Sequence, residues 1–93
     1  MMAEDSNYAK IEEHRAEIDK LDRQIVDLLN QRAIRSLQIR DLKPGANMGL
    51  YDPRREEEIL QGIGEYNEGP LYNEHLREIY TAILKVMKEA PSL

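Results

Sequence analysis

Residues 7–42 read NYAKIEEHRAEIDKLDRQIVDLLNQRAIRSLQIRDL, with neither proline nor glycine. Isoleucine returns every seventh residue at Ile11, Ile18, Ile25 and Ile39, and Leu21, Leu28 and Leu42 follow three positions behind. Heptad spacing of this kind predicts one long helix with a single apolar seam. Arg32 stands where the isoleucine row calls for another aliphatic residue. A charge inside a seam costs several kcal/mol unless an opposite charge meets it, which makes Arg32 the first candidate for a functional role.

Outward from that stretch, Lys43-Pro44-Gly45 ends the helix, and Asp5, Ser6 or Asn7 is expected to cap its start. Some 36 residues at about 1.5 Å each make a rod of about 54 Å. A compact globule of this size has a radius of gyration near 12 Å. The rest of the chain is too short to cover the rod, so an intertwined homodimer is expected. Residues 44–51 (PGANMGLY) form a connector, and Asp52-Pro53 opens a second helix over about 53–67, weakened by Gly62 and Gly64 and ended by Asn67-Glu68-Gly69-Pro70. A third helix, about 73–90, puts Leu76, Ile79, Tyr80, Ile83, Leu84 and Met87 on one face and stops at Pro91. No alternating run of strand length appears. The expected architecture is all-α, a long, a short and a medium helix in a single domain over residues 1–93.

The totals exclude several classes of function. Ninety-three residues make one small domain, and no segment approaches the roughly 20 apolar residues needed to cross a bilayer. A formal charge of -5 argues against a general nucleic-acid or anionic-membrane surface. With no cysteine, and with His14 and His75 far apart, neither disulfides nor a metal site is expected. The acidic, polar start does not read as a targeting peptide, so the expected compartment is a reducing cytoplasm.

Any bound anion must therefore be held by a local basic cluster. Arg32 and Lys43 lie 11 residues apart, which puts them within about 20° on one helix face. Arg15 precedes Arg32 by 17 residues, about 25 Å along the rod and on a different face. In an antiparallel dimer, Arg15 of one subunit approaches the Arg32 region of the other. Asp52, Arg55 and Glu56 fall on the first turn of the second helix. Each of these residues also has a purely structural reading. Arg15 suits a solvated turn, Lys43 the negative end of a helix dipole, Asp52 an N-cap, and Glu56 a favourable first-turn acid. Arg54 and Arg55 before Glu56, Glu57 and Glu58 suit an ordinary solvated charge run.

The ordered set resembles a family. His14-Arg15-Ala16-Glu17-Ile18-Asp19-Lys20-Leu21-Asp22, Leu28-Leu29-Asn30-Gln31-Arg32, Lys43, Tyr51-Asp52-Pro53-Arg54-Arg55-Glu56, Glu68-Gly69-Pro70-Leu71 and Glu78-Ile79-Tyr80 together resemble the AroQ-type, all-helical chorismate mutases. The resemblance implies a domain-swapped helical homodimer with two equivalent sites. It further implies conversion of chorismate to prephenate without cofactor, metal or covalent intermediate. By that resemblance Arg15 arrives from the partner subunit and clamps one substrate carboxylate, while Arg32 holds the other. Lys43 reaches a carboxylate and the ether oxygen, Asp52 meets the ring hydroxyl, Glu56 accepts from it, and Arg55 orients the carboxylate end or braces Glu56. Arg32, Lys43 and Glu56 would be catalytic, and Arg15, Asp52 and Arg55 would complete the substrate-binding set.

The chain departs from the family in its third helix. A small residue, then Gln or Glu one turn later, usually faces the ether oxygen there, and Met87 and Pro91 stand in those places. Lys88 is a candidate substitute cation. Rival readings on the same scaffold are an isochorismate pyruvate lyase and a mutase of an amino-substituted chorismate. Outside enzymes of that kind, the rivals are a weakly active or non-catalytic module binding a shikimate-pathway enzyme, and a plain helical dimerisation module. A free-standing protein and a domain of a bifunctional chain fit the sequence equally.

Overall fold

The computed structural model describes residues 2–45 and 52–91, and among them all regular structure is helical. Three helices follow in order, α1 (Met2–Leu42), α2 (Pro53–Tyr66) and α3 (Asn73–Glu89). The long, short and medium plan expected from the periodicity is observed, with the ends of α2 and α3 one residue short of the expectation. The connector expected over 44–51 lies outside the described residues from position 46 onward.

The start of α1 differs from the expectation. Asp5, Ser6 and Asn7 lie inside the helix rather than capping it, because α1 already begins at Met2. Nothing in Met2-Ala3-Glu4 breaks a helix, and each added residue gains a backbone hydrogen bond.

By its internal contacts the chain falls into two units, Met1–Arg32 and Ala33–Leu93. The first is the N-terminal part of α1. Its charged face carries ion pairs one turn apart, Arg15 to Glu12 at 2.8 Å and Lys20 to Glu17 at 3.1 Å. Such exposed pairs contribute little to stability. The apolar row is exposed too, Ile18 at 53%, Leu21 at 54%, Ile25 at 53% and Leu28 at 61%.

The second unit holds the end of α1 with α2 and α3, and α2 packs against α3. Asp52 caps α2 by accepting a hydrogen bond from the Arg55 backbone N–H at 3.1 Å, and Pro53 occupies the first turn, where its missing N–H costs nothing. Beyond α2, Asn67 organises the turn into α3. Its amide nitrogen donates to the Leu71 carbonyl and to Asn73 Oδ1, both at 2.7 Å, and its oxygen accepts from the Gly69 N–H at 2.9 Å. Gly69 has φ +80°, a left-handed conformation that favours glycine. α3 has no side-chain N-cap, the Tyr72 carbonyl accepting instead from the backbone N–H groups of His75 and Leu76. It ends at Ala90, held extended before Pro91.

Leu37, Leu84 and Met87 are the buried hydrophobic residues among those described. Met87 is thus core, as its place in the apolar stripe of α3 predicts. One turn beyond Leu37, Arg40 donates to the last carbonyls of α3, reaching Met87 O and Ala90 O at 3.2 Å and Lys88 O at 3.3 Å. The final carbonyls of a helix lack partners within it, and a guanidinium both hydrogen-bonds them and meets the negative end of the dipole. Replacing Arg40 with Ala is expected to lower stability by about 1–2 kcal/mol. Urea denaturation, together with faster amide exchange in the last turn of α3, checks this.

Candidate active site

The first turn of α2 carries the run Arg54-Arg55-Glu56-Glu57-Glu58, and the fold sorts its charges one by one. Arg54 Nε lies 3.6 Å and Arg55 Nη1 3.7 Å from the Glu58 carboxylate, local pairs along one exposed helix face. Glu57 instead accepts both oxygens' hydrogen bonds from Arg77 Nη2 on α3, at 2.9 and 3.0 Å. Glu56 meets Lys88 near the end of α3, with Nζ 2.7 Å from Oε1. Its side chain is the most sheltered in the run, 25% exposed against 49% for Lys88. Glu56 is therefore the carboxylate of this stretch that the fold turns inward, and a charge-assisted contact of this length is short and directional.

Asp52 is one turn before Glu56 and half-buried. Its Oδ1 accepts from the Arg55 N–H, which fixes the side chain against the backbone and orders the turn carrying Arg55 and Glu56. The capping reading of Asp52 holds. Lys43 follows α1 directly, is half-buried, and donates its backbone N–H to Ile39 O at 3.0 Å. Lys43, Asp52, Arg55 and Glu56 all belong to the second unit, and Arg15 and Arg32 to the first. Arg15 is exposed and paired with Glu12 at 2.8 Å, as its solvated reading expects. Arg32 is half-buried. Tyr51 of the Asp52 segment lies outside the described residues.

Two features were not legible from the motif positions. Arg40 looks ordinary in sequence, an arginine near a helix C-terminus, although its position three residues after buried Leu37 puts both on one face. Lys88 was a candidate cation for the substrate, yet it engages Glu56. For Lys88 the one sequence signal is a cation in the last turn of α3 and an anion in the first turn of α2, which the turn between the two helices brings to the same end. The chemistry that these contacts show is a sheltered carboxylate held at one oxygen by an ammonium, a group able to accept a further hydrogen bond. Among the described residues no group of three or more His, Asp or Glu side chains is placed to hold a metal ion. No described helix is long and apolar enough to cross a membrane.

Comparison with known proteins gives one answer at every level. The family model for chorismate mutase type II matches residues 14–90. A bifunctional chorismate mutase/prephenate dehydratase from Aquifex aeolicus is 37% identical over 79 residues, 81% of this chain and 22% of that protein. One from Neisseria gonorrhoeae is 35% identical over 71 residues, 76% of this chain and 19% of that protein. The chain thus spans about a fifth of the length of the curated relatives it matches. Among solved structures, a chorismate mutase from Thermus thermophilus (form II) aligns with TM-score 0.84 and 31% identity, covering 90% of this chain and 99% of that one. A chorismate mutase from Helicobacter pylori in complex with prephenate aligns with TM-score 0.79 and 34% identity, covering 87% and 88%. The helix order, the capped turn bearing Asp52, Arg55 and Glu56, and a family match running from His14 to Ala90 place this chain in the chorismate mutase type II family.

Proposed function

We propose that this chain rearranges chorismate to prephenate, acting as a homodimer in which each site takes one arginine from the other subunit. The observation that carries the reading is the likeness to the prephenate-bound mutase, at TM-score 0.79 and 34% identity, in a chain that keeps the six charged residues of the resemblance in order. Both substrate and product are dianions. Arg32 and the partner-donated Arg15 grip the two carboxylates, since guanidinium forks match carboxylates in two-point fashion. Lys43 sets its charge near the ether oxygen, where negative charge grows as the carbon–oxygen bond breaks and the new carbon–carbon bond forms. Asp52 and Glu56 hold the ring hydroxyl, and Arg55 steadies the carboxylate end. Catalysis then rests on holding a compact chair-like conformer and on charge placement, and no side chain exchanges a proton.

The dimer follows from apolar exposure. Ile11, Ile18, Leu21, Ile25, Leu28 and Ile39 are all about half-exposed or more on α1, and a continuous stripe of this kind calls for a covering surface. A second copy supplies an identical seam, and the heptad spacing suits helix-on-helix packing. The fusion of mutase to dehydratase in the relatives supports a setting in aromatic amino acid synthesis, where a prephenate-consuming enzyme works alongside. Met87, which is buried, and Pro91 favour one further reading, a mutase of reduced rate, because neither offers a side-chain hydrogen bond at the places where, by the resemblance, the family sets a small residue and then a Gln or Glu facing the ether oxygen.

Chorismate loss followed by ultraviolet absorbance, with a pyruvate assay alongside, tests the reaction. Turnover without pyruvate is expected, and Arg32→Ala should lower kcat/KM by about a hundredfold or more, the scale of a lost charge-assisted clamp. Pyruvate release would move the assignment to a lyase. The shared site has its own test. Arg15→Ala and Arg32→Ala proteins, each inactive, are expected on mixing and re-equilibration to recover about a quarter of wild-type activity. Half the dimers are then mixed, and each mixed dimer keeps one intact site of two. Recovery of nothing would place Arg15 and Arg32 in the same subunit's site.

A further inference from the structure

We propose that Lys88 is a positioning residue that acts through Glu56, and that Arg40 sets Lys88 in place by holding the last turn of α3. The inference rests on the chorismate mutase reading of the Glu56 site.

The three contacts form one connected chain within the second unit. Arg40 on α1 donates to the carbonyls of Met87, Lys88 and Ala90, so it grips the backbone on both sides of Lys88. That turn is anchored from beneath by Met87, which is 8% exposed. From it Lys88 spans to α2 and places Nζ 2.7 Å from Glu56 Oε1. Glu56 in turn donates its backbone N–H to the Asp52 carbonyl at 3.1 Å, beside the Arg55 N–H that the Asp52 side chain caps. The carboxylate is thus held from two sides, its helix end by the cap and its oxygen by the ammonium.

The chemistry gives this arrangement a purpose. A carboxylate that accepts from the substrate ring hydroxyl stands in a site built to take a dianion. Unopposed, its charge repels that substrate, and its side chain samples several rotamers. An ammonium on one oxygen offsets the repulsion and leaves the other oxygen to face the hydroxyl in a single orientation. Met87 and Pro91 supply no polar group from this end of α3, so Lys88 is the side chain through which α3 reaches the site. The Glu57–Arg77 pair differs in kind, since both of its members are half-exposed, and it ties α2 to α3 without a sheltered carboxylate.

A double-mutant cycle on chorismate turnover tests the proposal, comparing wild type, Lys88→Met, Glu56→Gln and the double variant, with circular dichroism and thermal melts as controls for folding. Lys88→Met is expected to lower kcat/KM by roughly tenfold, the scale of one lost orienting hydrogen bond to a charged group. In the Glu56→Gln background the same change should cost less than about twofold, because residues acting as one unit are not additive. Lys88→Arg is expected to restore most of the loss, while Lys88→Met alone leaves the melting profile close to wild type. Equal losses in both backgrounds would overturn the proposal and make Lys88 an independent contact to substrate. An unchanged rate in Lys88→Met would overturn it as well. A wild-type protein that neither binds nor converts chorismate would remove the mutase reading and this inference with it, an outcome visible before any variant is made.

Discussion

Uncovered apolar surface on α1 is the constraint behind the remainder of this molecule. A heptad row on a helix of 41 residues needs a partner along its length, yet residues 6–28 are all exposed. Each aliphatic side chain left in water forgoes about 1.5–3 kcal/mol of burial, and helical peptides of this sort are marginal without tertiary packing. The second copy proposed above would meet that need and would bring a distant arginine to each site as part of the same contact. Folding and the assembly of the site would then be one event.

The second unit solves a different problem, holding short helices together with a small core. Leu37, Leu84 and Met87 supply the buried apolar contacts, and polar clasps at the helix ends do much of the ordering. Asp52 caps α2, Asn67 binds the turn between α2 and α3, and Arg40 closes the carbonyl end of α3. Each clasp satisfies backbone groups that a helix terminus leaves without partners. Two of them, the Asp52 cap at the start of α2 and the Arg40 clasp at the end of α3, lie where Glu56 and Lys88 meet, since helix ends are where oriented charge and fixed backbone come together. Capping and catalytic readings of Asp52 are therefore compatible, since a cap that fixes the first turn of α2 also fixes Arg55 and Glu56.

α3 departs from the family resemblance in its core. Met87 fills core space where the family sets a small residue, and the apolar stripe of α3 gains by it. The next residue, Lys88, reaches Glu56 on α2. A site that works, as proposed, by orientation and charge would accommodate such a change more readily than an acid–base site, because the field at the substrate would be a sum over several cations.

The sequence by itself determined the helical class, the three elements and their connections, because periodicity, proline, glycine and capping residues act over a few neighbouring positions. It also carried the family, through the order and spacing of Arg15, Arg32, Lys43, Asp52, Arg55 and Glu56, and the match over residues 14–90 shows that family. It misplaced the start of α1, where Asp5, Ser6 and Asn7 looked like caps, because a capping residue serves equally well inside a first turn when nothing upstream breaks the helix. Only the tertiary structure decided how the five charges after Pro53 are partitioned, sending Glu56 to Lys88 and Glu57 to Arg77 while Arg54 and Arg55 stay on their own helix. Residues 32 positions apart in sequence meet through helix packing, and no local rule ranks one carboxylate of three as the sheltered one. Arg40 belongs to the same class, an arginine of ordinary appearance whose three acceptors lie 47 to 50 residues away.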